Sequence, residues 1–363
     1  MIRVLAVCPV PADGTAWWRV VSPLGVMKQD WPGLLEFEIS HEPDHVKLSG
    51  VDLLLLQRPM RDGDLALLRH AKRLCIPVVV DYDDDYTGVP PHNPRAHHYM
   101  NDAIQRKIRS FLTEADVVVV STPDLKRKLM QHNKRTVVIP NGLDDRLFTH
   151  KPAVGKLRPR TVVWRGGDSH IDDLAGFKEA MVKAAHETPT AIWHFVGHPA
   201  GEFIKRMPPG TVVDHPFLDV LAYFGKLAEL EPHILVVPLA DTHFNRCKSN
   251  ISILEGTWAG AVVVAPKWPG WSVPGVLSYE SPAHMSELLR GALRMRDAEL
   301  SALRNQAWEA VRTKALASRF NMFRAAVFTE LVREAKGKRF ERPEPILAMP
   351  PPVKEEVVEE VTG

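Results

Sequence analysis

Only three cysteines, Cys8, Cys75 and Cys247, occur among 363 residues, far apart and in no ligand-like spacing. That excludes a disulfide framework, and it predicts neither a zinc site nor any other metal site. An excess of one charge is also missing. The 46 Lys and Arg stand against 44 Asp and Glu, a net +2, so bulk charge does not make this chain a coat for nucleic acid or membrane. No apolar run approaches the roughly 20 residues that span a bilayer, and MIRVLAVCPV has no basic region ahead of a long apolar stretch. A cytoplasmic protein without membrane insertion is expected. Neither early loop reads Gly-x-Gly-x-x-Gly, which disfavours a dehydrogenase. What is present is ordinary: 45% hydrophobic and 25% charged residues rule out wholesale disorder and a coiled coil. At roughly 100–200 residues per domain, the length predicts two domains.

Short β-branched runs recur throughout: 3–10, 37–40, 51–58, 76–82, 116–121 and 135–141, then 161–167, 191–197, 211–215, 234–239 and 261–266. Helical spacing fills many of the gaps, at 63–73, 101–114, 123–131, 172–186, 219–229 and 248–259. This alternation predicts an α/β chain with two doubly wound parallel sheets. The segment 146–160, with two prolines, a glycine and a basic flank, suits a hinge. The lobes are then 1–150 and 151–310, followed by a crossing helix at 311–335. The tail 336–363 combines proline with a glutamate run and is expected to be disordered.

In open parallel sheets, ligands bind beyond the carboxyl ends of the strands. Four such loops stand out. The first carries Gly14, Thr15 and Arg19; the second is the acidic DYDDDYTGVPPHNP (81–94); the third is RGGDSH (165–170); the fourth runs ADTHFNRCKSNISILEG (240–256). Two polar loops from each lobe predict one cleft between them. Lys248 and Ser249 stand where a helix is expected to begin, which offers free amides to an anion such as a diphosphate. Glu255 lies seven residues on, so on a helix both would share one face about 10 Å apart, fitting a diphosphate and a ribose. Arg165 and the flexible Gly166 could approach the same phosphates. His170 and Asp173 read equally as a helix cap or a donor contact. The acidic loop admits a metal or a catalytic role, the latter favoured. His92, His97 and His98 read as surface residues. Trp17 and Trp18 could stack on a sugar or a base, one of them more simply as core. Arg106, Lys107, Arg109, Lys126, Arg127, Lys128, Lys134 and Arg135 form a basic stretch, either a solvated face or a dock for DNA or another anionic acceptor.

PLADTHFNRCKSNISILEGTWAGAVVVAP (238–266) resembles the donor-binding segment of family-4-type retaining glycosyltransferases of the GT-B fold. VVVSTPDLKRKL with VVIPNGLDDRLF (117–148) is similar to the stretch before the interdomain crossing in that family, and RGGDSHIDDL (165–174) resembles its nucleotide-lobe start. The resemblance implies an acceptor-binding first lobe, a donor-binding second lobe and transfer of a hexosyl or pentosyl unit from a UDP- or GDP-sugar without a further cofactor. It implies that Glu255 holds the ribose and that Lys248, Ser249 and Arg165 hold the diphosphate, with Gly14 letting the first loop approach. Many members carry a glutamate eight positions before the second; here Cys247 stands there, so sugar recognition shifts to Asn245 or to backbone groups. Where a histidine often follows the fourth strand stands Asp83, making Asp83 and Asp84 the candidates for contacting sugar or acceptor. QRP (57–59), DYDDD and PPHNP (90–94) look like compact, phage-type variants, for which hydroxymethylated pyrimidines in DNA rank level with a cell-surface glycan as acceptor. A nucleotide-sugar epimerase, a phosphorylase and a non-catalytic nucleotide-sugar-binding module are the alternatives.

Overall fold

A computed structural model describes residues 1–149, 159–197 and 201–337. Most of the expected hinge, at 150–158, and the tail beyond 337 lie outside the described residues. The first lobe is built on β1 (Ile2–Val7), β2 (Leu35–Ser40), β3 (Leu53–Gln57), β4 (Val78–Tyr82), β5 (Val117–Val120) and β6 (Thr136–Val138). They form one sheet in the order β2-β1-β3-β4-β5-β6. The second lobe is built on β7 (Thr161–Gly166), β8 (Ile192–Gly197), β9 (Val212–His215), β10 (Ile234–Val236), β11 (Val262–Pro266) and β12 (Leu277–Tyr279), in the order β12-β11-β10-β7-β8-β9. Every pairing is parallel. β3, β4, β5, β10 and β11 are buried along their whole length, because helices cover both faces of each sheet.

Both sheets reverse their winding once, between β1 and β3 and between β7 and β10. Crevices open outside the strand ends at such points, and the two crevices face each other. β12 escapes the sequence pattern because three residues beside Gly275 and Pro282 are too few to show a period. The helix expected at 248–259 begins three residues later, as Ile251–Trp258, and a separate short helix, His243–Arg246, precedes it.

The chain crosses between lobes twice. Gly142 passes so close to the returning chain that a Cβ on it would lie 2.7 Å from the Ala317 backbone. Helix Ala317–Lys336 then packs on the first lobe, with Phe328, Leu331 and Val332 against Val4, Ala6 and Leu24. An apolar cluster of Trp18, Leu143, Phe224, Leu254 and Val311 joins the lobes beneath the cleft. Among the described residues, no helix is long and apolar enough to cross a membrane.

Candidate active site

The second-lobe wall starts at the end of β7. Arg165 is the next-to-last residue of that strand, and its Nε donates to Glu255 Oε2 at 2.7 Å; Tyr223 donates its hydroxyl to the same oxygen at 3.1 Å. Glu255 is 4% exposed. Burial pushes its carboxyl above the usual range, against the pull of Arg165. Burial alone would lower the Arg165 guanidinium, but Glu255 and Tyr223 outweigh it and hold it above its ordinary value. These groups border a chamber of about 140 Å³ that Gly14, Gly166, Phe217 and Val220 also line. Glycine is required at 197, where φ is +113° and a Cβ would sit 2.3 Å from Gly166 O.

Arg165 also lines a second chamber, of about 210 Å³, on its other side. Here the lobes meet. Lys248 Nζ donates to Asp84 Oδ2 at 2.9 Å and lies 4.6 Å from the centre of the Phe244 ring. Ser249 Oγ accepts from Asn141 Nδ2 at 2.8 Å. Asp83 Oδ1 accepts from the Tyr86 hydroxyl at 3.0 Å. Burial raises the Asp84 carboxyl even though Lys248 pulls it down. Thr15 and His170 also line this chamber. His170 Nδ1 lies 3.0 Å from Asp173 Oδ2, and no side-chain bond caps helix Ile171–Glu187, so the pair orients the imidazole toward the chamber instead of capping. Burial, with Lys248 and Arg165 nearby, lowers the His170 pKa against the effect of Asp173, which favours a neutral ring.

The structure thus brings Gly14, Thr15, Asp83, Asp84, Arg165, Gly166, Lys248, Ser249 and Glu255 to two adjoining chambers. Arg19 is elsewhere. Its side chain is 0% exposed and clasps Asp81 with two bonds of 2.8 Å, while Nη1 donates to Ile139 O and Asn141 Oδ1. Since Asn141 in turn bonds Ser249, Arg19 positions the site without facing it. Asn245 spends its amide on Asp173 Oδ1 and Ala240 O, at 2.7 and 3.0 Å, and lines neither chamber. Because the helix begins only at Ile251, Lys248 and Glu255 do not share a helical face; Arg165 between the chambers links them.

The acidic loop does not converge on one point: Asp81 turns to Arg19, Asp84 to Lys248 and Asp85 to Thr87. Of the basic stretch, Lys107 pairs with Asp62, Arg127 with Asp124, Lys128 with Asp85 and Arg135 with Glu334 on the C-terminal helix. It is therefore spread over several faces and half neutralised. Trp18 is core, while Trp17 is half-buried beside the same cluster. His92, His97 and His98 are exposed. Sequence reasoning missed Tyr223 and the role of Arg58. Arg58 donates to Asp13 Oδ2 at 2.6 Å, and Tyr86, Asp13 and Asp83 hold its guanidinium above the ordinary value against burial. No local sequence pattern marks either residue; the φ of +49° at Arg58, just past a buried strand, is seen only in the structure.

No family model and no curated protein sequence matches this chain. Solved structures do resemble it. HepE of Anabaena, in complex with UDP and glucose, is 14% identical over 91% of this chain and 100% of its own, with a TM-score of 0.66. A putative UDP-N-acetylglucosamine 2-epimerase of Listeria monocytogenes is 11% identical over 96% and 100%, with a TM-score of 0.58. The UDP-forming α,α-trehalose-phosphate synthase of Burkholderia vietnamiensis is 13% identical over 77% and 74%, with a TM-score of 0.55. Two facing doubly wound parallel sheets, crossed by a returning C-terminal helix, together with these likenesses, identify the fold of the chain as GT-B.

Proposed function

We propose that the chain is a glycosyltransferase that moves a hexosyl or pentosyl unit from a nucleotide sugar, UDP- or GDP-linked, to a hydroxyl acceptor in the cytoplasm. The observation that carries this reading is Arg165, a cation shared by two chambers at the switch point of the second sheet. Glu255 at one side suits a vicinal ribose diol, as a buried carboxylate accepts two hydroxyl donors. Lys248 on the other side suits a diphosphate, with the first turn of helix Ile251–Trp258 adding its dipole. The base then rests against Phe217, Val220 and Gly166, and the sugar points to Asp83, Asp84 and His170.

Catalysis follows from holding the anomeric carbon against the acceptor and stabilising the departing diphosphate with Arg165 and Lys248. Configuration is retained, the leaving phosphate taking the acceptor proton; were it inverted, Asp83 would be the nearer general base, because Asp84 is tied to Lys248. We favour a glycan-type acceptor over DNA, since the basic stretch offers no continuous track for a phosphate backbone. The likeness to an epimerase keeps that alternative measurable. A panel of UDP- and GDP-sugars should raise the melting temperature, and turnover should require an acceptor hydroxyl. Turnover without any acceptor would favour epimerisation, and no stabilisation by any nucleotide sugar would remove the reading.

A further inference from the structure

One cluster of metal-ligating side chains lies next to the cleft and is used by none of the chemistry above. His243 and Cys247 stand four residues apart, one turn on the short helix His243–Arg246 and its C-cap, so both face the same way. Their Nε2 and Sγ atoms are 3.8 Å apart. Asp85 approaches from the first lobe, and one ligand atom from each of the three lies within 4.8 Å of the others. Asp85 is 0% exposed; its Oδ1 is held by Thr87, while its Oδ2 is buried without a hydrogen-bond partner. Lys128 Nζ stands 3.7 Å from that oxygen, beyond hydrogen-bond range. The Cys247 side chain is inserted into the first lobe's own core cluster, beside residues such as Tyr82 and Tyr86.

We propose that Asp85, His243 and Cys247 form a binding site for a thiophilic divalent cation of the zinc type, clipping the second lobe to the first. One imidazole nitrogen, one thiolate and one carboxylate oxygen are a donor set that zinc takes, with a fourth position for water. Binding replaces the thiol proton, which leaves to solvent, so no oxidant or reductant is involved. The carboxylate belongs to one lobe and the other two ligands to its partner lobe, so occupancy resists opening of the cleft. Sequence spacing concealed the site because Asp85 is 158 residues from His243, as their numbers give.

The test needs no nucleotide sugar, so its outcome is independent of the glycosyl-transfer reading. Co2+ is titrated into the full-length protein and thiolate-to-cobalt charge-transfer absorption is followed; Zn2+ is then added to displace it, and melting temperature is recorded. One equivalent should bind and raise the melting temperature. His243→Ala, a change to an exposed side chain that leaves the core alone, should weaken binding about 100-fold or more, since even outer-shell partners of a metal are worth about 10–100-fold. Cys247→Ser should abolish the absorption. Lys128→Met, which removes the cation competing for Asp85, should tighten binding severalfold. Absence of the absorption in the wild-type protein, or absorption that survives His243→Ala undiminished, overturns the proposal.

Discussion

Replacing Glu255 by Gln keeps a partner for the Tyr223 hydroxyl but leaves the Arg165 guanidinium without its counter-charge. Breaking one side of a buried pair is worth about 3–5 kcal/mol, and Arg165, at 24% side-chain exposure, belongs toward the lower end. We predict a lower urea midpoint and at least a tenfold weaker nucleotide-sugar affinity by calorimetry; an unchanged affinity would separate Glu255 from the ribose. Arg19→Met should destabilise by about 3–5 kcal/mol, because Asp81 would be left enclosed without its partner. A joint Arg19→Met, Asp81→Leu change should recover much of that loss in chemical denaturation while still reducing turnover, since the Asn141–Ser249 contact loses its anchor. Both arginines were visible in the sequence as polar residues in loops after strands. Their division of labour was not, because a guanidinium that faces inward and one that faces a cleft have the same local sequence signature.

At the scale of elements, the fit of helix Ile251–Trp258 on its sheet rests on a missing side chain. A Cβ at Gly256 would lie 2.5 Å from Val263 Cγ2 and 3.3 Å from Leu235 Cβ. Gly256→Ala should therefore cost about 1–3 kcal/mol by overpacking and tilt the helix that carries Glu255, so a thermal midpoint and a donor affinity should fall together. On the outer strands, His194 Nδ1 lies 3.0 Å from His215 Nε2. Burial, with His215 and Lys226 adding, lowers His194 from 6.5 to about 4. The folded protein then binds fewer protons than the unfolded chain between those values, so the contribution of this pair is intact above 6.5 and declines as pH falls toward 4. His194→Asn should flatten that part of the melting-temperature profile, and coincident profiles for the two proteins would refute it. The strands were legible from their runs of Val, Leu and Ile, whereas the later start of helix Ile251–Trp258 was not, because Cys247, Ile251 and Leu254 keep helical spacing across 248–250.

For the whole molecule, the cleft depends on contacts between residues far apart in the chain. Lys248 reaches Asp84 across 164 positions, and the C-terminal helix returns to cover β1 and bring the buried Arg324 near Arg19 and Asp81. Lys248→Ala should lower kcat/KM with a nucleotide sugar by about 100-fold, in line with removal of one transition-state charge contact, and should also lower the melting temperature of the free protein, because Asp84 is left largely buried without its partner, a loss of up to about 3 kcal/mol. Binding to duplex DNA should respond only weakly to salt, as four of the eight basic residues are already paired; a steep fall between 50 and 200 mM salt would restore DNA as the acceptor.

Two parallel sheets, their order along the chain and the loops that line the cleft were determined by the sequence alone, because buried strands and covering helices impose their periods locally. Tertiary structure decided which polar residues face one another: that Arg19 turns inward, that Arg165 joins two chambers, and that Asp85 meets His243 and Cys247. Those outcomes depend on how two lobes close, and closure is set by packing between residues more than a hundred positions apart, on which no local pattern reports.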